Sequence, residues 1–329
     1  MTHSGFQLAQ LSATTYQIKI SHFWQRQVNI FLIIDDRITL IDSGHCHPTS
    51  TTPLRQALAQ LGLSVRDISQ IVYTHSHIDH AGGGLYLSTL SGIGHFAHPG
   101  VAPCLADYST YSRDIVDRFR KFIHRTGSQS FPEHVKDILR VFVGYNMPAI
   151  SNNTLRITPI RNHDEIPLGQ NRYLSVHNTP GHTPWDLSLY DPEDDFLFIG
   201  DLMSAQGSTM LAEVMDSDLD DHINSLRYAL DLNAGIALPA HGNIIYNPET
   251  IFQKTLRLAA LREEEILDCI HQKGKTICEI SRTLSKNATA SPLIFIRYLG
   301  MTATHLNRLV KAGKVKGEEF EGTSIYLRR

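Results

Sequence analysis

The sequence predicts a mixed α/β (α+β) protein. An alternating, β-rich body spans residues 1–262, with a helical insertion at 99–150, and a smaller, mostly helical unit follows at 263–329. Three observations predict this. Short apolar runs that end in polar loops recur between Tyr16 and Pro239, as in strands that deliver side chains to a sheet rim. Residues 111–124 and 133–142 instead carry apolar side chains at helical spacing, with charge on the opposite face. Beyond Pro248 the helical spacing dominates until a final pair of short extended segments.

Taken in order, residues 16–20, 28–34 and 38–42 read as successive strands, with Asp35-Asp36-Arg37 as the turn between the last two. Residues 53–61 form a short helix that stops at Gly62. The apolar run Ile71-Val72-Tyr73 leads into Thr74-His75-Ser76-His77-Ile78-Asp79-His80-Ala81-Gly82-Gly83, and a helix follows near residues 85–90. Residues 94–97 make a strand ending at His98-Pro99. After the insertion, strands are predicted at 155–160, 173–178, 187–190 and 196–199, the last two joined by the turn Asp191-Pro192-Glu193-Asp194-Asp195. A long helix runs over 248–271. Residues 276–284 form a helix that Thr276 caps, with Glu279 three residues on. Part of a second helix is expected at 293–298 and a third at 302–312, ending at Gly313. Residues 314–316 and 324–327 then bracket a turn at Glu321-Gly322.

Composition bounds the function. With 42% hydrophobic and 19% charged residues and a net charge of -3, the chain reads as an ordinary globular protein with no global pull toward nucleic acid or membrane. No apolar run approaches a membrane span, and residues 1–17 lack the basic and apolar regions of a signal peptide. Cys46, Cys104, Cys269 and Cys278 form no C-x-x-C pair. Reduced thiols and a cytoplasmic location are the simplest account.

The chemistry concentrates in residues 75–80, where three imidazoles and a carboxylate fall within six positions. Zn²⁺, Fe²⁺ and Mn²⁺ accept such donors. In an extended loop alternate residues point the same way, so His75 and His77 can grip one ion while Asp79 and His80 turn toward a second. Three further strand ends carry isolated polar residues: Thr179-Pro180-Gly181-His182-Thr183, Ile199-Gly200-Asp201 and Leu238-Pro239-Ala240-His241-Gly242. Singly, each is more often a capping or core residue than a ligand. His45 and His47, close to the same region, read as supporting or surface residues.

His75-Ser76-His77-Ile78-Asp79-His80 resembles the H-x-H-x-D-H signature of the metallo-β-lactamase-fold hydrolases, and Ile41-Asp42-Ser43-Gly44 resembles their second motif. Five motifs in order cover most of residues 16–245. The resemblance, closest to the glyoxalase II-like branch, implies a four-layer αββα sandwich and a dinuclear site. It implies that His75, His77 and His182 hold one metal, that Asp79, His80 and His241 hold the other, and that Asp201 bridges them. Asp42 is expected to brace the metal loop by hydrogen bonding. Two ions close together lower the pKa of a shared water toward neutrality and polarise the scissile oxygen. Asp79 is also expected to handle the proton as the tetrahedral intermediate collapses. Zinc is the default metal, with iron or manganese as alternatives.

The small-molecule substrate is ranked as a thioester first, then a lactone or other ester. Nuclease or phosphodiester cleavage and iron-dependent persulfide or redox chemistry are the alternatives. His77, where the oxygen-reducing diiron branch typically has glutamate, weighs against the redox reading. The insertion is expected either to cap the site, with Arg113, Arg118, Arg120, Lys121 and Arg125 as a cationic side, or to make a homodimer contact. The C-terminal pattern resembles a winged-helix module. From Lys273 onward eleven Lys or Arg stand against four Glu. The third helix offers DNA only Arg308 and Lys311, so the tail is expected to pack rather than to bind nucleic acid.

Overall fold

The computed structural model describes residues 5–22, 26–90, 92–128, 155–207, 209, 211–270, 274–285 and 292–329. The helix predicted at 133–142, and with it most of the second half of the insertion, lies outside the described residues.

Seven strands form the first sheet: β1 (Phe6–Gln10), β2 (Thr15–His22), β3 (Arg26–Ile33), β4 (Thr39–Ile41), β5 (Gln70–Val72), β6 (Gly94–Ala97) and β7 (Ile157–Pro159), side by side in that order. The first four pair antiparallel, and β4 through β7 are parallel. The second sheet has the order β12-β11-β10-β9-β8, from β8 (Glu165–Pro167), β9 (Tyr173–Asn178), β10 (Leu187–Asp191), β11 (Phe196–Gly200) and β12 (Ile236–Pro239).

Alternation along the strands sorts side chains into layers. Phe31, Ile33, Ile41 and Val72 of the first sheet meet Leu174, Val176, Leu187, Leu189, Phe198 and Leu238 of the second. Phe31 and Phe198 contact edge to face at 5.2 Å. On the far side of the first sheet, Ile18, Ile30, Leu32 and Ile71 pack on Leu54 and Leu58 of α1 (Pro48–Gln60) and on Ala81 and Leu85 of α2 (Ile78–Leu87). On the far side of the second, Leu197, Ile199 and Ala237 meet α5 (Leu219–Asp231) and α6 (Pro248–Cys269) through Leu226, Ala229 and Phe252. The result is helix, sheet, sheet, helix. Each such aliphatic or aromatic side chain contributes about 1.5–3 kcal/mol when fully buried, which fixes the sheet rims that carry the polar loops.

A separate core joins the C-terminal unit to the insertion. Between β6 and β7 in sequence lie α3 (Ala102–Ala106) and α4 (Tyr108–Arg125). Ile115, Val116, Phe119 and Phe122 of α4 pack with Ile266, Ile277, Ile280, Leu299, Leu306 and Val315. The C-terminal unit consists of α7 (Ile277–Ser285), α8 (Pro292–Lys311) and the sheet β13-β15-β14, from β13 (Lys275–Thr276), β14 (Val315–Phe320) and β15 (Thr323–Arg328). Helix α6 runs through residue 262. Its first half packs on the second sheet, and its second half enters the C-terminal core.

Several elements differ from the sequence reading. The two helices expected at 293–298 and 302–312 are one helix, α8. Gly300 does not interrupt it but permits a close approach, since a Cβ there would lie 2.9 Å from that of Ala212. Helix α2 begins at Ile78, inside the histidine motif, rather than near Leu85. Helix α1 begins at Pro48, five residues before the expected start, with Pro53 inside it. The short edge strands β1 and β8 and helix α5 carry no prediction. The Thr276–Glu279 cap forms as expected: Glu279 N donates to Thr276 Oγ1 at 3.2 Å, and Thr276 N donates to the Glu279 carboxylate at 2.8 Å.

Of the five cations on the cationic side of α4, three are engaged by carboxylates, and Arg113 donates to Thr110 Oγ1. Arg118 pairs with Asp114 and Asp216, Arg120 with Asp117, and Arg125 with Glu213.

Candidate metal centre

The five loops at the strand ends converge. The loop after β5 carries His75 and His77, and His77 is the N-cap residue of α2. Asp79 and His80 occupy the first turn of that helix, where a carboxylate also complements the helix dipole. His182 follows β9, Asp201 follows β11 and His241 follows β12. One ligand atom from each of His75, His77, His182 and Asp201 lies within 4.8 Å of all the others, and the same holds for Asp79, His80 and His241.

Hydrogen bonds fix which nitrogen each ring turns inward. Asp42 adopts a left-handed backbone (φ 60°) and is buried beneath the loop. Its carboxylate accepts from Thr74 N at 2.8 Å, from Thr74 Oγ1 at 2.9 Å and from His80 Nδ1 at 2.9 Å. The Thr74 hydroxyl proton is therefore committed to Asp42, so His75 Nδ1, 3.0 Å from Thr74 Oγ1, must be the donor of that pair. His241 Nδ1 donates to the Gln27 carbonyl at 2.8 Å. His75, His80 and His241 thus each turn Nε2 toward the centre, where a metal ion would take the place of a proton on that nitrogen.

The inward atoms crowd one another. His75 Nε2 and His182 Nε2 each lie 3.0 Å from His77 Nδ1. A single proton cannot serve all three nitrogens, whereas a cation can. Asp201 points one oxygen at each group: Oδ2 lies 3.3 Å from His182 Nε2, and Oδ1 lies 3.5 Å from His241 Nε2. His80 Nε2 is buried without a hydrogen-bond partner, 3.7 Å from Asp201 and 3.8 Å from Asp79.

The electrostatics differ between the two groups, with His75 and His77 lowered and His80 and His241 raised. Burial, reinforced by the neighbouring imidazoles, pulls His77 down to about 3 and holds it neutral, as a ligand must be. Burial would lower His80 as well, but the carboxylates of Asp201, Asp79 and Asp42 outweigh it and raise that ring to about 10. His241 rises for the same reason. The donor set could hold a metal ion. Asp79 and His241 are 22% and 31% exposed against 0% for His80, so the second group faces the solvent.

Other residues support the site without entering it. His47 is the N-cap residue of α1, accepting from Thr49 N. His45 is buried, and its Nδ1 accepts from His47 N at 2.9 Å. Sequence reasoning missed three neighbours. Tyr111 of α4 contacts Ser76 Oγ through its hydroxyl at 3.0 Å. Ser217 Oγ donates to the His182 carbonyl at 2.6 Å. Trp185, 44% exposed, stacks on His98 at 5.0 Å, three residues beyond His182. Only the Trp185 position carried a signal, as an aromatic residue in a polar strand-end loop.

Four layers, with a histidine and aspartate cluster at the rims of both sheets, define a metallo-hydrolase. The sequence profile of the metallo-beta-lactamase superfamily matches residues 24–241, and the chain belongs to that superfamily. It is 23% identical over 310 residues to the probable metallo-hydrolase YqjP of Bacillus subtilis (strain 168), covering 92% of this chain and 93% of that one. An atrochrysone carboxyl ACP thioesterase of Aspergillus fumigatus is 27% identical over 144 residues, covering 42% of this chain and 32% of that one. Among solved structures, a metallo-beta-lactamase family protein from Thermus thermophilus superposes with a TM-score of 0.80 at 23% identity, covering 97% of this chain and 100% of that one. A beta-lactamase domain protein from Burkholderia ambifaria gives 0.77 at 18% identity, covering 100% and 95%. The likeness extends through the C-terminal unit, and it shows the fold.

Proposed function

We propose that the protein is a dinuclear metallo-hydrolase that cleaves a thioester, with lactones and other carboxylic esters next in rank. The observation that carries this reading is the division of seven inward donor atoms into two groups with Asp201 turned toward both. His75, His77 and His182 would hold one ion, Asp79, His80 and His241 the other, and Asp201 would serve both. Zinc suits the imidazole-rich set, with iron or manganese as alternatives. Divalent ions supply Lewis acidity and an acidified water when bound. The side chains do the rest. Asp42, Thr74 and the Gln27 carbonyl hold the rings so that their lone pairs converge. The partly exposed Asp79 carboxylate takes the proton of the attacking water and returns it to the leaving group.

A thioester is supported by the likeness to the fungal ACP thioesterase and by Trp185, which offers an apolar face beside the His182 loop. Nucleic-acid cleavage with a winged-helix-like tail is disfavoured by the state of its cations. Arg308 is held by Asp220 and Glu263, and Lys311 by Asp218. Among the described residues no helix is long and apolar enough to cross a membrane. The reduced cysteines fit a cytoplasmic setting.

A panel of acyl thioesters, lactones, phosphodiesters and RNA, run together with elemental analysis, tests the proposal. Up to two transition-metal ions per chain and preferential thioester turnover are expected. A metal-free preparation with full activity, or turnover confined to phosphodiesters, would overturn it.

A further inference from the structure

We propose that Ser217 and Asp218 are positioning residues for His182, and that the C-terminal helix α8 holds them in place through Lys311 and Arg308. The proposal rests on the reading of His182 as a metal ligand.

His182 sits on the loop between β9 and β10, which closes on itself through Gly181 N to the Thr183 carbonyl at 2.9 Å and Thr183 N to the Asp186 carboxylate at 2.7 Å but leaves the carbonyls of residues 180–182 to other partners. The loop is held from the segment leading into α5. Ser217 Oγ donates to the His182 carbonyl at 2.6 Å and itself accepts from Ala212 N at 3.0 Å, so both its proton and a lone pair are used. Asp218 N donates to the Gly181 carbonyl at 3.1 Å, and Ser225 Oγ to the Pro180 carbonyl at 2.7 Å. Three consecutive carbonyls, 180 to 182, are therefore tied to one helix and its entry. Gly181 makes the approach possible: its φ is 142°, and a Cβ there would lie 2.4 Å from His222 Cα.

The entry segment is gripped in turn from outside the sandwich. Lys311 Nζ donates to Asp218 Oδ2 at 2.7 Å, while Asp218 Oδ1 accepts from Asp220 N and caps α5. Arg308 bridges Asp220 at 2.6 Å and Glu263 at 2.5 Å. From α4, Arg118 holds Asp216 at 2.5 Å, and Arg125 holds Glu213. Four cations from two elements thus close on residues 213–220, the stretch whose inner side carries the His182 contact. A carbonyl anchored behind a ligand fixes the backbone from which its ring projects. Loss of a hydrogen-bonded partner of a ligating side chain weakens metal affinity by about 10–100-fold, and a main-chain anchor belongs at the low end of that range. Lys311 is 62% exposed, so its replacement does not open a core.

The test is a chelator-competition titration of the full-length protein with Zn²⁺, on wild type, Ser217→Ala, Ser217→Thr, Lys311→Met and His182→Ala, each checked for folding by circular dichroism. One of the two Zn²⁺ sites should weaken about 10-fold in Ser217→Ala, recover in Ser217→Thr, and weaken by a smaller factor in Lys311→Met. The same site should be lost in His182→Ala. If His182→Ala loses a site while Ser217→Ala and Lys311→Met both bind as wild type, the positioning role is overturned and the ligand reading stands. If His182→Ala binds both ions as wild type, the ligand reading falls and this proposal falls with it.

Discussion

At the scale of single residues, three of the inward rings, His75, His80 and His241, are each oriented by a second residue. The ligand candidates were legible because His75, His77, Asp79 and His80 are crowded into one short loop, and because His182, Asp201 and His241 follow in the order and contexts of the family motifs that this loop resembles. The brace at Asp42 was legible through the resemblance of Ile41-Asp42-Ser43-Gly44 to the second motif of the metallo-β-lactamase-fold hydrolases. Ser217 was not, because its contact to the His182 carbonyl spans 35 residues and serine has no spacing to betray it. The two carboxylate oxygens of Asp201 lead to a direct prediction. Asp201→Ala should reduce retention of both ions, whereas His241→Ala should weaken mainly one, because His241 belongs to the second group alone while Asp201 turns an oxygen toward each. Metal content after dialysis against a weak chelator decides it. Asp201→Ala retaining both ions would show that its carboxylate serves neither.

At the scale of elements, the strands were read well where alternation met a polar turn, as in β9, β10 and β11. They were missed where an edge strand has too few apolar residues to alternate, as in β8 with its single buried Ile166. Helix α8 was read as two pieces on either side of Gly300, and the close approach of Ala212 and the Leu211 carbonyl explains why a glycine stands inside one continuous helix. The same helix carries His305, buried near His222 of α5, with Nδ1 of both rings lacking a hydrogen-bond partner. Burial, aided by Arg262, Arg308 and His222, lowers His305 to about 3. Its folded pKa therefore lies below that of the unfolded chain, so the unfolded state binds the proton first. Stability is full above about pH 6.5 and is lost as pH falls toward 3, by up to about 2 kcal/mol for one such group at pH 5. His222, also lowered to about 3 by burial, adds to the loss. Thermal melts at pH 7 and pH 5 should show a smaller acid shift for His305→Gln than for wild type. Equal shifts would assign the acid sensitivity to other groups.

At the scale of the whole molecule, the C-terminal unit is built into the protein rather than appended to it. Its composition suggested a basic surface available to phosphate, and sequence alone could not show that the cations of α8 would find carboxylates on α5 and α6, nor that α4 would insert Ile115, Val116, Phe119 and Phe122 into its core. Those contacts are long-range and leave no local pattern. They set what removal of residues 273–329 should do. Ile115, Val116, Phe119, Phe122 and Ile266 would lose the apolar partners that now bury them, and each large side chain re-exposed costs about 1.5–3 kcal/mol. Several together equal the whole stability of an ordinary domain. The truncated chain should therefore expose apolar surface to a fluorescent dye, aggregate, or melt well below the full-length protein. The intact protein should bind random duplex DNA weakly, with a shallow dependence on salt, because Arg308 and Lys311 already face Asp220, Glu263 and Asp218 and release few counterions. Salt-titrated binding measures this directly. Tight binding with a steep slope, abolished by replacing Arg308 and Lys311, would mean that the ion pairs open for phosphate and that the unit acts as a nucleic-acid module.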